Sequence, residues 1–161
     1  MRRPVVLDIG AGSGLLSMLA ARHGAECVLG CEMFEAMATV AEAVISANDL
    51  DSKVKIMAVK STDIDPDSFQ ADLVVSELLD SALLGEGCIP SHMDAIERGL
   101  LKSEQDMDEP YPIEDRIIPH SAQIFACAVQ SPEIDAMINV SSIDLGCDKT
   151  GGVPVSPFRD S

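Results

Sequence analysis

The sequence predicts an α/β fold, a mostly parallel β-sheet with helices on both of its faces. Short apolar stretches alternate with helical stretches from residue 5 to about residue 101, which is typical of successive β-α-β units. A glycine-rich loop, residues 10–14, joins the first strand to the first helix. The 161 residues are enough for one domain with a core of its own.

The order of the elements follows from the apolar pattern and from the residues that interrupt it. Proline is tolerated in the first turn of a helix and glycine commonly ends one, so Pro90 and Gly24 mark helix limits. The predicted strands are residues 5–9, 27–32, 53–58, 72–77 and 116–119. The predicted helices are residues 15–23, 35–47 and 90–101, and the first has its apolar face at Leu15, Leu16, Met18, Leu19 and Ala20.

The last third of the sequence has weaker patterns. Residues 103–115 are rich in Asp, Glu, Ser and Pro, which indicates a solvated loop. Residues 122–129 alternate in part between apolar and polar side chains, which predicts the start of a new antiparallel element. Beyond Ser131 the periodicity fades.

Composition excludes several classes of protein. Eleven basic residues against 27 acidic ones give a net charge of −16, which repels nucleic-acid phosphates and favours basic partners. The five cysteines are odd in number and form no C-x-x-C pair, so we expect no disulfide framework, no metal site and a reducing compartment. Because no apolar run or signal peptide is apparent, we expect no membrane partner and a cytoplasmic or nuclear location, or both.

The glycine loop predicts a nucleoside-binding site. Its pattern, Asp8-x-Gly10-x-Gly12-x-Gly14, brings the third glycine one residue earlier than the dinucleotide fingerprint does, which disfavours NAD. With Glu32 at the end of the next strand, the pattern resembles that of the Rossmann-like methyltransferases, whose cofactor is S-adenosylmethionine. A carboxylate at that position can accept two hydrogen bonds from ribose hydroxyls.

Four more residues belong to this predicted cofactor site. Asp8 can lie near the amino group of a methionine moiety. Met33 can pack on the adenine face, although packing in the core is an equal alternative. Thr62 and Asp63 can meet the adenine edge, or can equally form a turn or helix cap.

Two glutamates, Glu77 and Glu86, lie nine positions apart on either side of an apolar turn. Acidic side chains at the end of a buried strand are costly unless a cation or hydrogen-bond donors meet them. The pair therefore predicts a site for a guanidinium beside the cofactor. The alternative is a pair of ordinary surface acids.

With these motifs together, the chain resembles the protein arginine methyltransferases, most closely their type III, monomethylating branch. Residues 6–18 are similar to that branch's first motif, and residues 76–80 with 85–91 are similar to its double-glutamate loop. The resemblance covers residues 5 to about 130. It implies a Rossmann-like methyltransferase domain at residues 1–120 and the start of an incomplete substrate barrel at residues 121–161.

The resemblance also implies roles for individual residues. Glu77 and Glu86 would hold the target arginine, and Asp80 would confine the pocket to a single methyl transfer. His92 and His120 fit exposed or structural histidines better than a general base. The family assembles as dimers or tandem pseudo-dimers through an arm of the barrel, most of which this chain lacks.

The sequence therefore predicts transfer of a methyl group from S-adenosylmethionine to arginine in arginine-rich proteins, most simply to the monomethyl product. One alternative is a methyltransferase for a small molecule or for RNA, although the charge of −16 disfavours RNA. Another is a truncated, noncatalytic module that binds the cofactor or a partner. The chain starts almost on its first strand and stops soon after the barrel would begin, which motivates this last alternative.

Overall fold

The fold, seen in a computed structural model that describes residues 3–107 and 111–138, is built on one five-stranded sheet. Its strand order is β3-β2-β1-β4-β5, and every pairing within the described residues is parallel. This confirms the predicted α/β fold. The strands are β1 (Val5–Ile9), β2 (Cys27–Cys31), β3 (Val54–Met57), β4 (Leu73–Ser76) and β5 (Ile117–Ile118).

Helices cover the sheet between these strands. They are α1 (Leu15–Arg22), α2 (Glu35–Ser46) and α3 (Cys88–Glu97). A fourth helix, α4 (Pro132–Ile138), occurs near the end of the described chain. Helix α3 begins two residues before the predicted start at Pro90 and ends four residues before Leu101. Gly87 and Gly99 account for both differences, because their φ angles of 82° and 78° are left-handed and bound the helix on either side.

The core lies on both faces of the sheet. Val6, Val28 and Val54 point to one face, where Ile45 of α2 packs against them. On the other face, Leu7, Ile9, Leu29 and Val74 pack with Ala95 of α3 and with Leu100 and Leu101, which follow it. Burial of both faces explains why the strand sequences are almost continuously apolar rather than alternating.

The buried face of α1 differs from the prediction. Leu15 and Leu19 are 58% and 42% exposed, whereas Ser17 and Ala21 are buried. The reason is a hydrogen bond at 2.6 Å that the Ser17 hydroxyl donates to Asp8 Oδ2 on the neighbouring strand. A hydroxyl with such a partner can be buried at small cost, so the polar residue takes the inward position.

Residues 103–107 and 111–116 form a loop, as predicted, with short 3₁₀ turns at Glu104–Asp106 and Ile113–Arg116. Arg116 is 1% exposed and anchors this loop. Its Nη1 donates to the Lys102 carbonyl at 2.8 Å, and its Nε donates to the Tyr111 carbonyl at 3.1 Å.

The predicted antiparallel element at residues 122–129 was wrong, because residues 119–131 contain no strand. A strand needs a partner for its backbone groups, and no described residue pairs with this segment. The chain divides into two units, Met1–Ala122 and Gln123–Ser161. In the second unit, the Ser131 hydroxyl accepts a hydrogen bond from the Ile134 N–H at the start of α4. Residues 139–161 of the predicted barrel segment lie outside the described residues.

Candidate functional site

A cleft of about 560 Å³ opens where the carboxyl ends of β1, β2 and β4 meet. Strand order reverses at this point, since β2 and β3 lie on one side of β1 and β4 and β5 on the other. Such a switch point is where ligands bind in open parallel sheets. Three of the predicted site acids, Glu32, Glu77 and Glu86, line this one cleft.

The glycine loop crosses the end of β1. The N–H groups of Gly10 and Ala11 both donate to the Cys31 carbonyl, at 2.9 and 3.0 Å, which ties the loop to β2. A Cβ added at Gly10 would come within 2.7 Å of Leu78, whereas one at Gly12 would meet nothing nearer than 4.0 Å. Gly12 therefore presents bare backbone to open space, and Gly14 precedes the first turn of α1.

Glu32 organises this loop. It is 7% exposed, and its Oε2 accepts a hydrogen bond from the Gly12 N–H at 3.0 Å while its Oε1 accepts one from the Phe34 N–H at 2.9 Å. Each carboxylate oxygen keeps a second lone pair that can accept a hydrogen bond from a ribose hydroxyl. That contact remains a prediction. The bonds to backbone were not foreseen from the sequence, because a spacing of twenty residues carries no local signal.

Asp8 lies behind the glycine loop rather than in the cleft lining. It is fully buried, and its Oδ1 has no hydrogen-bond partner among the described residues. Burial raises the pKa of Asp8, an effect that hydrogen bonds from Ser17 partly oppose and the charge of Glu32 reinforces. An orphaned buried oxygen at this place fits a ligand that brings a donor, such as an amino group.

Of the three residues predicted to lie near the adenine, Met33, Thr62 and Asp63, two line the cleft. Met33 and Thr62 both line the cleft, and Met33 is 54% exposed, which disfavours the core-packing alternative. Asp63 is exposed and lies outside the cleft lining. Ser61, the first residue of the predicted polar group at residues 61–63, also lines the cleft, and so does Lys60, which the sequence did not single out.

The two glutamates reach the same cleft from different elements. Glu77 directly follows β4, and Glu86 lies two residues before α3 begins. Both are exposed, and neither forms an ion pair with another residue in the described part of the chain. Glu77 and Glu86 thus line the same cleft, which is the placement that a guanidinium site requires.

Asp80 shapes the loop that joins the two glutamates. Its Oδ1 accepts hydrogen bonds from the N–H groups of Ala82 and Gly85, at 3.0 and 3.1 Å. A Cβ at Gly85 would collide with this carboxylate, so the loop closes tightly around it. Asp80 is not among the residues that line the cleft, and its confinement of the substrate pocket remains a prediction.

A second contact fixes the end of β4. His92 Nε2 of α3 lies 2.7 Å from the hydroxyl of Ser76, the residue before Glu77, and Cys88 Sγ lies 3.9 Å from His92 Nδ1. Burial lowers the pKa of His92, so the imidazole is neutral near pH 7. His92 does not line the cleft, and His120 is exposed.

The structure also bears on the predictions about disulfides, metal ligands and membrane-spanning helices. The four cysteines within the described ranges, Cys27, Cys31, Cys88 and Cys127, are free thiols. Among the residues whose placement is given, no three His, Cys, Asp or Glu side chains cluster as metal ligands would. None of the helices described is long and apolar enough to cross a bilayer.

Comparison with protein families shows a match over the part of the chain that forms the cleft. Residues 2–86 match the family model described as ribosomal protein L11 methyltransferase (PrmA). The matched range runs from the first strand to Glu86, and it includes the glycine loop and Glu32. It ends two residues before α3 begins.

Comparison with known proteins extends the similarity further along the chain. Human protein arginine N-methyltransferase 9 is 40% identical over 136 residues, which cover 80% of this chain and 16% of that protein. Protein arginine N-methyltransferase 7 of Aedes aegypti is 37% identical over 134 residues, which cover 79% of this chain and 18% of that protein. The chain thus spans less than a fifth of the length of these relatives.

A solved structure shows the same arrangement. The PRMT1 enzyme–prozyme heterotetrameric complex of Trypanosoma brucei with AdoHcy superposes with a TM-score of 0.56 at 30% sequence identity. The superposition covers 62% of this chain and 31% of the other.

Proposed function

Since this chain belongs to the protein arginine N-methyltransferase family, we propose that it transfers a methyl group from S-adenosylmethionine to an arginine side chain in proteins. Its residues 2–86 also match the ribosomal protein L11 methyltransferase model. The observation that carries the proposal is the convergence of Glu32, Glu77 and Glu86 on one cleft. Glu32 belongs to the cofactor half of that cleft, and the other two glutamates belong to the substrate half.

The residues at the glycine loop fit this cofactor. Gly12 leaves the backbone bare, Glu32 keeps acceptor capacity for ribose hydroxyls, and the orphaned Asp8 Oδ1 suits a donor group. The cofactor supplies a methyl group on a positively charged sulfur. A relative in the family, the T. brucei complex, was solved with AdoHcy.

Glu77 and Glu86 supply what the acceptor needs. A guanidinium has a pKa above about 12, so it enters as a cation and is a poor nucleophile. Two carboxylates can engage its planar fork and turn one nitrogen toward the methyl donor. Transfer would break the S–C bond, leave the sulfur neutral and release one proton from the nitrogen. The two carboxylates stabilise the positive charge that the guanidinium carries meanwhile.

We further propose that the product is monomethylarginine and that the substrates are arginine-rich segments. The similarity of residues 76–91 to the type III loop supports the first point. The net charge of −16 supports the second, because it attracts cationic peptides. Free thiols at the four described cysteines support a reducing compartment, the cytoplasm or the nucleus.

The test is mass spectrometry of an arginine-rich peptide incubated with the protein and S-adenosylmethionine. We expect a mass gain of one methyl group on arginine, abolished by Glu77→Gln and by Glu86→Gln. Both variants should bind S-adenosylhomocysteine as the wild type does, measured by calorimetry. Glu97→Gln, an exposed acid on α3 outside the cleft, is the matched control. Equal loss of cofactor binding in both variants, or methylation of RNA but not of peptide, would contradict the assignment.

A further inference from the structure

Arg98 follows the last residue of α3 and reaches across to the turn after β3. Its Nη1 donates to the Thr62 carbonyl at 2.6 Å and to the Ser61 carbonyl at 3.4 Å, and its Nη2 donates to the Ile64 carbonyl. Three carbonyls of one turn are thus bound by a single side chain. Only a guanidinium offers several donors in a fixed plane, whereas lysine offers one ammonium group.

Arg98 is itself held in place. Asp94, one helical turn earlier, accepts a hydrogen bond from Nη1 at 3.2 Å, and the pair is a partly exposed salt bridge. This pair adds little stability on its own, since ion pairs near the surface are weak. Its effect is to keep the guanidinium pointing along the helix end toward the turn.

The turn that Arg98 binds forms one wall of the cleft. Ser61 and Thr62 line the cleft, and Ile64, which is 2% exposed, anchors the turn in the core. Within the turn, the N–H of Asp63 bonds the Lys60 carbonyl at 3.0 Å and the N–H of Ile64 bonds the Ser61 carbonyl at 3.2 Å. A three-residue 3₁₀ turn is intrinsically weak, so bonds from outside it matter for its shape.

Helix α3 connects the Arg98 contact to the part of the cleft that holds the two glutamates. The helix starts two residues after Glu86 and its last residue precedes Arg98. Near its start, His92 bonds Ser76, the residue before Glu77. The same helix therefore touches the end of β4 beside the paired glutamates and the wall of the cleft that follows β3.

We propose that Arg98 is a positioning residue for the cofactor: its guanidinium holds residues 61–64 in the shape that receives the adenine end of S-adenosylmethionine. This rests on the proposed function in one respect, that the cleft binds this cofactor. Arg98 does not line the cleft, so it acts through the backbone of the turn and makes no contact with the ligand.

The experiment compares the wild type with Arg98→Gln, Arg98→Lys and Arg22→Gln in two measurements. Arg22 is a matched control, because its Nη2 also bonds across to another element, at Asn48 Oδ1, away from the cleft. The first measurement is amide hydrogen exchange of residues 59–65 without cofactor. The second is the dissociation constant of S-adenosylhomocysteine by calorimetry.

For Arg98→Gln we expect faster exchange at Asp63 and Ile64 and an affinity about tenfold weaker, since charge-assisted hydrogen bonds are lost. Arg98→Lys should fall between the two, and Arg22→Gln should match the wild type. If Arg98→Gln does not fold, the exchange rates and the affinity of Arg98→Lys test the proposal instead. Wild-type exchange and affinity in the folded Arg98 variants would overturn the proposal. A wild type that does not bind S-adenosylhomocysteine would instead overturn the proposed function, and the wild-type titration alone reveals this.

Discussion

Glu32 accepts a hydrogen bond at 3.0 Å from the backbone N–H of Gly12, twenty residues earlier in the chain. The bond joins the end of β2 to the middle of the glycine loop, so one carboxylate both shapes the loop and faces the cleft. A second bond, from the Phe34 N–H, fixes the carboxylate at the entry to α2. The acid is therefore prearranged before any ligand arrives, which lowers the ordering cost of binding.

Replacing Glu32 with glutamine should weaken cofactor binding and loosen the loop. The amide accepts only through its oxygen, so one of the two backbone N–H groups loses its acceptor and the other keeps only a neutral one. We expect S-adenosylhomocysteine affinity to fall about tenfold or more. Calorimetry measures this, with Glu35→Gln, an exposed acid three residues away, as the control. Equal effects of the two variants would count against the role of Glu32.

Replacing Asp80 with alanine should impair the substrate half of the cleft and spare the cofactor half. The N–H groups of Ala82 and Gly85 lose their acceptor, and the loop between Glu77 and Glu86 loses its shape. We expect kcat/KM for an arginine-rich peptide to fall about tenfold. S-adenosylhomocysteine affinity should stay within about twofold, since no bond to the glycine loop changes.

Asp80→Asn keeps an acceptor oxygen and should recover much of the lost activity. Ser81→Ala, at the exposed neighbouring position, should behave as the wild type. A loss of cofactor affinity as large as the loss of activity would show that Asp80 does not act on the glutamate loop alone.

Replacing Asp8 with asparagine should stabilise the cofactor-free protein. Burial raises the pKa of Asp8, so the folded state disfavours the charged form, and its contribution to stability falls as pH rises through the folded pKa. A neutral isostere removes that cost at neutral pH. We expect the melting temperature at pH 7.5 to rise by about 2–4 °C per kcal/mol gained.

The same variant should bind S-adenosylhomocysteine more weakly, because an amide cannot offer a charged acceptor to an amino group. Asp51→Asn, an exposed acid, serves as the control for both thermal melts and calorimetry. A lower melting temperature for Asp8→Asn would show that the hydrogen bonds from Ser17 stabilise the carboxylate by more than its burial costs.

The contribution of His92 to stability should fall as the solution becomes mildly acidic, opposite in direction to that of Asp8. Burial lowers the pKa of this residue below its ordinary value of 6.5, so the unfolded chain takes up a proton more readily than the folded one. The contribution is present above pH 6.5 and is lost as pH falls toward the folded pKa. Thermal melts between pH 7.5 and 5.5 should show this decline in the wild type.

His92→Gln removes the titration while keeping a group that can bond Ser76, so its melting temperature should change less with pH. His23→Gln alters an exposed histidine and should retain the wild-type decline. The same slope in His92→Gln and in the wild type would assign the effect to other groups.

Much of the framework was predictable because it depends on local sequence. The first strand was predicted to the residue, and the other strand limits differ by at most one residue at either end. The places of the glycine loop, Glu32 and Glu77 were also predictable, since each follows a strand whose carboxyl end reaches the cleft. Glu86 was predicted from its spacing to Glu77 across the loop. The limits of α3 were wrong because the positive φ of Gly87 and Gly99 decides them, and apolar spacing does not record φ.

The contacts that tune the site were not predictable, because they join residues far apart in the chain. Arg98 meets Thr62 across 36 positions, and Ser17 is buried only because Asp8 lies opposite it. A sequence pattern shows which side chains are apolar, whereas these bonds depend on which elements become neighbours. The pocket role of Asp80 rests on the family resemblance and stays a prediction, whereas its bonds to Ala82 and Gly85 depend on how the loop folds back.

Among the strands of this sheet, β1 lies in the middle and comes first in the chain. One of its edges pairs with β2 within 31 residues, but the other waits for β4, at residues 73–76. Until then a nascent chain carries a bare, apolar strand edge, which is a template for aggregation. We therefore expect fragments that stop before residue 73 to precipitate, and chaperones to be most useful during synthesis of that first half.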